Sequence, residues 1–187
     1  MIAAAPLDPE STALLMIASP RDAFSDPPGA DPMARAAALL ARARATGAHV
    51  VHVRHVPESG PHDGGESAAA AETTSAATVA PIGWESVLDS RLPDPFHGTG
   101  LAEELGARGV VAVVVAGPMS LACCDAASLE ALSRRYRTIV ADDATDATDA
   151  REQGTVERER LMRARTRAGV EVLSSAAIAS LLDATTA

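Results

Sequence analysis

The chain has 187 residues, 47% of them hydrophobic and only 2% aromatic, and a formal net charge of −9. That length supports one domain with a core of Ala, Val and Leu. The negative balance, with no arginine cluster beyond scattered helical ones, excludes a nucleic-acid partner, whose phosphates must be neutralised by cations.

Residues Met1–Glu10 lack a basic segment followed by an apolar run, so no secretory signal is expected. The longest apolar stretch, Val110–Gly117, is far short of the ~20 residues that a bilayer-spanning helix needs. A cytoplasmic protein with no membrane partner is expected. The adjacent Cys123 and Cys124 cannot readily bridge each other and are read as thiols in a reducing compartment. All 16 basic side chains other than histidine are arginine, and the chain has no lysine.

In chain order, Thr12–Ala18 and Ala48–His55 read as strands, the second with β-branched residues at nearly alternate positions. Between them, Asp31 as cap and Pro32 as first helical residue open an Ala/Leu/Arg helix over Met33–Thr46 that stops before Gly47. Such a βαβ unit implies parallel strands joined by a right-handed crossover. Residues 58–83, rich in Gly, Ser, Pro, Thr and Ala, read as a long, partly mobile surface loop. A short helix follows within Gly100–Gly109, and Val110–Gly117 has the unbroken apolar character of a central strand buried on both faces.

The remainder predicts a helix over Leu121–Arg135, a strand over Arg137–Ala141, and a turn and helix entry in the polar DDATDATDA segment. A charged helix over Ala150–Ala168, a strand over Val170–Leu173 and a last helix over Ser175–Leu182 complete it. The arginines of VERERLMRARTR fall at helical spacing with glutamates and read as a solvated face, with Leu161 and Met162 anchoring the buried side. Alternating strands and helices predict a single three-layer α/β/α domain over residues 1–187, with a doubly wound, mostly parallel sheet of the Rossmann-like kind.

Ligands of such sheets bind beyond the carboxyl ends of the strands. That directs attention to Ser19–Phe24, to His55 and above all to Gly117–Cys124. No phosphate-binding glycine motif follows a strand. In VVVAGPMSLACCDAASLEAL a buried strand passes through a tight turn into a helix, with Cys123 near the first helical turn. There the helix dipole and unpaired backbone N–H groups favour a thiolate and can hold an oxyanion. Packing as a small buried hydrophobe is the other fate open to Cys123 and Cys124.

TALLMIASPRDAF, ARATGAHVVHVRHVPESG, PFHGTGL, GVVAVVVAGPMSLACCDAASLEALSRRYRTIVADDATDA and GVEVLSSAAI, in this order, resemble the isochorismatase-like cysteine hydrolases over nearly the whole chain. The resemblance implies a cysteine nucleophile at Cys123 working with an aspartate and a lysine. The aspartate position falls on Ala18 or Ser19, with Asp22 and Asp26 nearby, and the lysine position on Ser90, beside Arg91. The family's aromatic falls on Phe96, and its cis peptide would fall between Pro118 and Met119. Ser120 and Leu121 replace a usual threonine and acidic residue. Pro118, Met119, Ser120 and Ala122 are candidates for the pocket and oxyanion site, with His55, Trp84 and Phe96 as pocket residues. The family also implies a homodimer or higher homo-oligomer.

Without those partners a helix terminus supplies only about 0.3–1 kcal/mol, less than one unit off a thiol pKa of about 8.5. Arg91 and Arg21 add charge but shuttle no proton. Three readings stay open: a divergent enzyme acting on a small metabolite, through Cys123, His55 or a loop carboxylate; a non-catalytic binding or partner subunit; and a cysteine hydrolase of an amide, ester or vinyl ether with relocated acid and base. No cofactor is expected. Nor is a metal, because His52, His55 and His62 lack an accompanying aspartate and His52 and His55 face opposite sides of a strand.

Overall fold

Six strands form one sheet in the order β3-β2-β1-β4-β5-β6 in a computed structural model that describes residues 4–18, 32–56, 79–117, 121–145, 159–160 and 162–185. The strands are β1 (Thr12–Ala18), β2 (His49–His55), β3 (Ser86–Ser90), β4 (Ala112–Gly117), β5 (Arg137–Thr145) and β6 (Glu171–Leu173). Every pairing is parallel. The helices are α1 (Pro32–Thr46), α2 (Leu101–Ala107), α3 (Leu121–Ser133), α4 (residues 162–168) and α5 (Ser175–Asp183).

The period of two along each strand builds the layers. Leu14 and Met16 of β1 join Val114, Ile139, Leu39 and Leu40 of α1, and Ile178 and Leu182 of α5 in one buried cluster. Ala13, Leu15 and Ile17 face the other way and join Val113, Val115, Leu101 and Leu105 of α2, and Cys124, Ala127 and Ala131 of α3. β4 is buried at all six positions, as its unbroken apolar run requires. α1 ends on Gly47, whose φ of 82° favours glycine, and the Ala48 amide reaches back to the Ala43 carbonyl at 3.0 Å to close the last turn.

Several boundaries differ from the sequence reading. β3 is a five-residue edge strand in which half-buried and exposed positions alternate up to the buried Ser90, and its two apolar residues, Val87 and Leu88, are too few to mark a strand in sequence. β5 runs on through Asp142–Thr145, where a turn is expected from the polar composition, and its register against β4 shifts between Val115 and Gly117. Tertiary contacts account for the extension: Asp143 accepts from the Ser175 amide at 2.6 Å and from the Ser175 hydroxyl at 3.1 Å, tying the strand end to the start of α5. The Asp31 cap, most of the 58–83 loop and residues 150–158 lie outside the described residues.

His49 and His52 on β2 are both held below the usual histidine range, first by burial, against the partial opposition of Glu104 and Glu85. The unfolded chain takes up those protons near pH ~6.5 and the folded chain declines them. Unfolding free energy is therefore present in full above that value and falls as the pH drops below it. Urea midpoints recorded between about pH 8 and about pH 5.5 check this, with a lower midpoint expected in acid.

Candidate active site

The order of the strands reverses between β1 and β4, so the crevice of the sheet opens beyond Ala18 and Gly117. Gly117 has a φ of 115°, and a Cβ there would lie 2.5 Å from the Ile17 carbonyl oxygen. Only glycine lets β4 leave the sheet so close to β1. α3 begins four residues later, and Cys123 stands in its first turn. Cys123 is 7% exposed and Cys124 is fully buried.

The two thiols are not equivalent. Burial pushes the Cys124 thiol up to about 12, and the nearby Arg165 only partly opposes it. Cys124 is thus a protonated packing group on the α2–α3 side of the core. Asp125, the next residue, is turned to Arg165 of α4, whose Nε donates to Asp125 Oδ1 at 2.5 Å. Arg165 is 2% exposed, and its Nη2 has no partner among the described residues. This corrects the reading of all the α4 arginines as a solvated face. The spacing holds the signal, since Arg165 lies three residues after Met162 and so shares its anchoring face.

At the carboxyl end of β2, His55 pairs in register with Ser90 of β3. The Nδ1 of His55 is buried and has no partner among the described residues. Ser90, where the resemblance places a lysine, is 1% exposed, and its hydroxyl donates to the Leu92 carbonyl at 2.7 Å. Arg91 beside it is exposed, as is Ala122. Phe96 is 4% exposed, belongs to the same buried cluster as Cys123, and stacks on Tyr136 with ring centroids 6.2 Å apart. The Arg134 guanidinium lies 5.1 Å from the Phe96 ring centroid.

The structure therefore divides the residues grouped from the sequence. Cys123, His55 and Ser90 belong to the carboxyl edge of the sheet. Trp84 does not: it precedes the amino end of β3 and is 78% exposed, at the opposite edge. The five-residue strand β3 separates Trp84 from Ser90 at the carboxyl edge. Ser19, Asp22, Pro118, Met119 and Ser120 lie outside the described residues, and so does the Pro118–Met119 peptide. His52 turns inward and donates to Glu85 rather than facing the carboxyl edge. Among the described residues no group of His, Cys, Asp and Glu is arranged to hold a metal ion, and no helix is long and apolar enough to cross a membrane.

A doubly wound parallel sheet with a cysteine in the first helical turn after its central strand defines an α/β domain with a thiol at the topological switch point. The family model of the isochorismatase domain matches residues 12–177. The chain belongs to the isochorismatase family. It is 35% identical over 117 residues to an uncharacterized isochorismatase family protein of Bacillus subtilis (strain 168), covering 60% of this chain and 62% of that protein. It is 36% identical over 121 residues to a maleamate amidohydrolase of Pseudomonas putida (strain KT2440), covering 57% of this chain and 55% of that protein. The match thus spans less than two thirds of the length of either curated relative. Among solved structures, a cysteine hydrolase from Pseudomonas syringae pv. phaseolicola 1448A superposes with a TM-score of 0.77 at 21% identity, over 98% of this chain and 97% of that one.

Proposed function

We propose that this chain is a divergent isochorismatase-family enzyme acting on a small metabolite, with Cys123 and His55 as the acting groups and without the usual aspartate–lysine–cysteine hydrolysis. The observation that carries the reading is the Nδ1 of His55 at the carboxyl edge of the sheet, buried and without a partner among the described residues. A buried polar atom without a partner is costly, and such atoms concentrate where a substrate or a proton is to be received. An imidazole can accept a proton and return it, which is the service an aspartate performs in the family mechanism.

The chain's lack of lysine supports the departure from that mechanism. So does Ser90, whose hydroxyl is committed to a backbone carbonyl and offers neither charge nor proton. The amidohydrolase relative makes a small carbonyl compound the natural substrate class. A thiolate at Cys123 would add to that carbon while backbone N–H groups at the start of α3 hold the developing oxyanion. The same proposal takes the chain as one cytoplasmic domain that works as a homo-oligomer.

The test is the pH dependence of Cys123 alkylation by iodoacetamide in a Cys124→Ser background, with and without His55→Gln. An apparent pKa below about 7.5 is expected, moving up toward about 8.5 when His55 is replaced. A value of about 8.5 in both proteins, or no reaction, would make Cys123 a packing residue and the chain a non-catalytic binding member of its family.

A further inference from the structure

A cavity of about 410 Å³ opens at the amino end of the sheet, lined among others by Glu10, Arg44, His49, Trp84, Glu85 and Arg108. Its volume lies within the roughly 300–1,000 Å³ of small-molecule sites. It stands at the opposite edge from Cys123, because Glu10 precedes β1, His49 opens β2 and Trp84 precedes β3.

Half of these side chains are already committed. Arg44 and Glu85 bind each other through two hydrogen bonds of 2.7 and 2.8 Å, and His49 is bonded to Glu104 at 2.8 Å. The other three are not. Glu10 and Arg108 are exposed, and neither side chain makes a hydrogen bond or ion pair among the described residues. Opposite charges thus line one cavity without meeting. The same cavity is lined by the only tryptophan of the chain, 78% exposed and carried by the segment that leads into β3. An indole presents a large flat apolar face that favours stacking with another ring. The rim is rigid, since the Arg44–Glu85 pair ties α1 to the segment that carries Trp84.

We propose that this cavity binds a small aromatic zwitterion of the aromatic α-amino acid class, with its carboxylate on Arg108, its ammonium on Glu10 and its ring on Trp84. A guanidinium recognises a carboxylate in a planar, two-point fashion, and the ammonium satisfies the one unpaired acid of the rim. The site is separate from the Cys123 edge and stands or falls independently of the activity proposed there.

Trp84 reports on its own site. L-Phenylalanine is titrated into the full chain while tryptophan emission is excited at the red edge of its absorption, where phenylalanine is silent, and calorimetry follows the same titration. Saturable binding is expected, weakened roughly ten-fold or more by Arg108→Gln and by Glu10→Gln, as loss of a charged hydrogen bond implies. Benzoate and phenethylamine, each with one of the two charges, are expected to bind roughly ten-fold more weakly or worse. No saturable signal by either method, equal binding by both variants, or equal binding of the single-charge analogues overturns the proposal. So does an emission that follows protein concentration and ignores phenylalanine, which would place a second copy of the chain on the cavity.

Discussion

Replacing Glu85 by alanine lowers the unfolding free energy by about 3–5 kcal/mol, the cost of breaking a buried ion pair from one side. The Glu85 side chain is 2% exposed, and its two oxygens accept from Arg44 Nε and Nη2, from the Ile82 amide at 3.0 Å and from His52 Nε2 at 2.8 Å. Burial alone would raise the carboxyl, but the bonds from Arg44, Ile82 and His52 outweigh it and hold the group at about 2. Because the carboxyl is ionised, His52 must supply the hydrogen at Nε2. With alanine in place of Glu85, the buried His52 loses its partner, Arg44 keeps only its bond to the Ala80 carbonyl at 2.8 Å and what water reaches it from the cavity, and the segment leading into β3 loses its tie to α1. The sign with pH follows: a carboxyl lowered in the folded state stabilises above its unfolded value of 4.5, and that contribution is lost as the pH falls toward about 2. Urea unfolding followed by Trp84 emission is expected to show a large drop in midpoint for Glu85→Ala at neutral pH and a difference that shrinks in acid. A neutral midpoint within experimental error of the parent would show that the network contributes no net stability.

Asp125→Ala is expected to cost about 3 kcal/mol, the lower end of the same range, because Asp125 keeps 27% of its side-chain exposure while Arg165 keeps 2%. Removal of the carboxylate leaves a guanidinium buried beside Cys124, with another of its nitrogens, Nη2, already without a partner among the described residues. Adding Arg165→Met to Asp125→Ala is expected to recover most of the loss, since the charge that cannot be solvated is gone and its stem volume is refilled. Chemical denaturation of the single and double variants separates the two effects. Equal stability of the two variants would mean that the lost stability came from α3 itself, not from the stranded charge. The pair matters to the candidate site because it joins α4 to the first turns of α3, where Cys123 stands.

Much of this architecture is written in local pattern. The unbroken apolar run of β4 and the near-alternating β-branched residues of β2 set strands whose side chains divide between two helical layers. The Pro32 start and Gly47 stop bound α1 because ring geometry and positive φ act on single residues. The short chain distance from the end of β4 at Gly117 to the start of α3 at Leu121 places Cys123 at the switch point for the same reason: each element depends on neighbours in sequence.

Other features depend on partners far along the chain, and no local pattern contains them. β3 exists because β2 offers an edge to pair with, not because Ser86–Ser90 favours extension. Asp142–Thr145 is strand because Ser175, 32 residues beyond Asp143, needs an acceptor. Arg165 is buried because Asp125 lies 40 residues earlier on a packed helix, and Trp84 parts from Ser90 because a strand carries the chain from one edge of the sheet to the other. The sequence by itself determined the layers and the position of the cysteine, since hydrophobic period, helix ends and chain order act locally, and its ordered motifs carried the resemblance to the family. Only the tertiary structure decided which charged and polar groups are satisfied, because a hydrogen bond or ion pair requires two groups to meet, and folding alone brings them together.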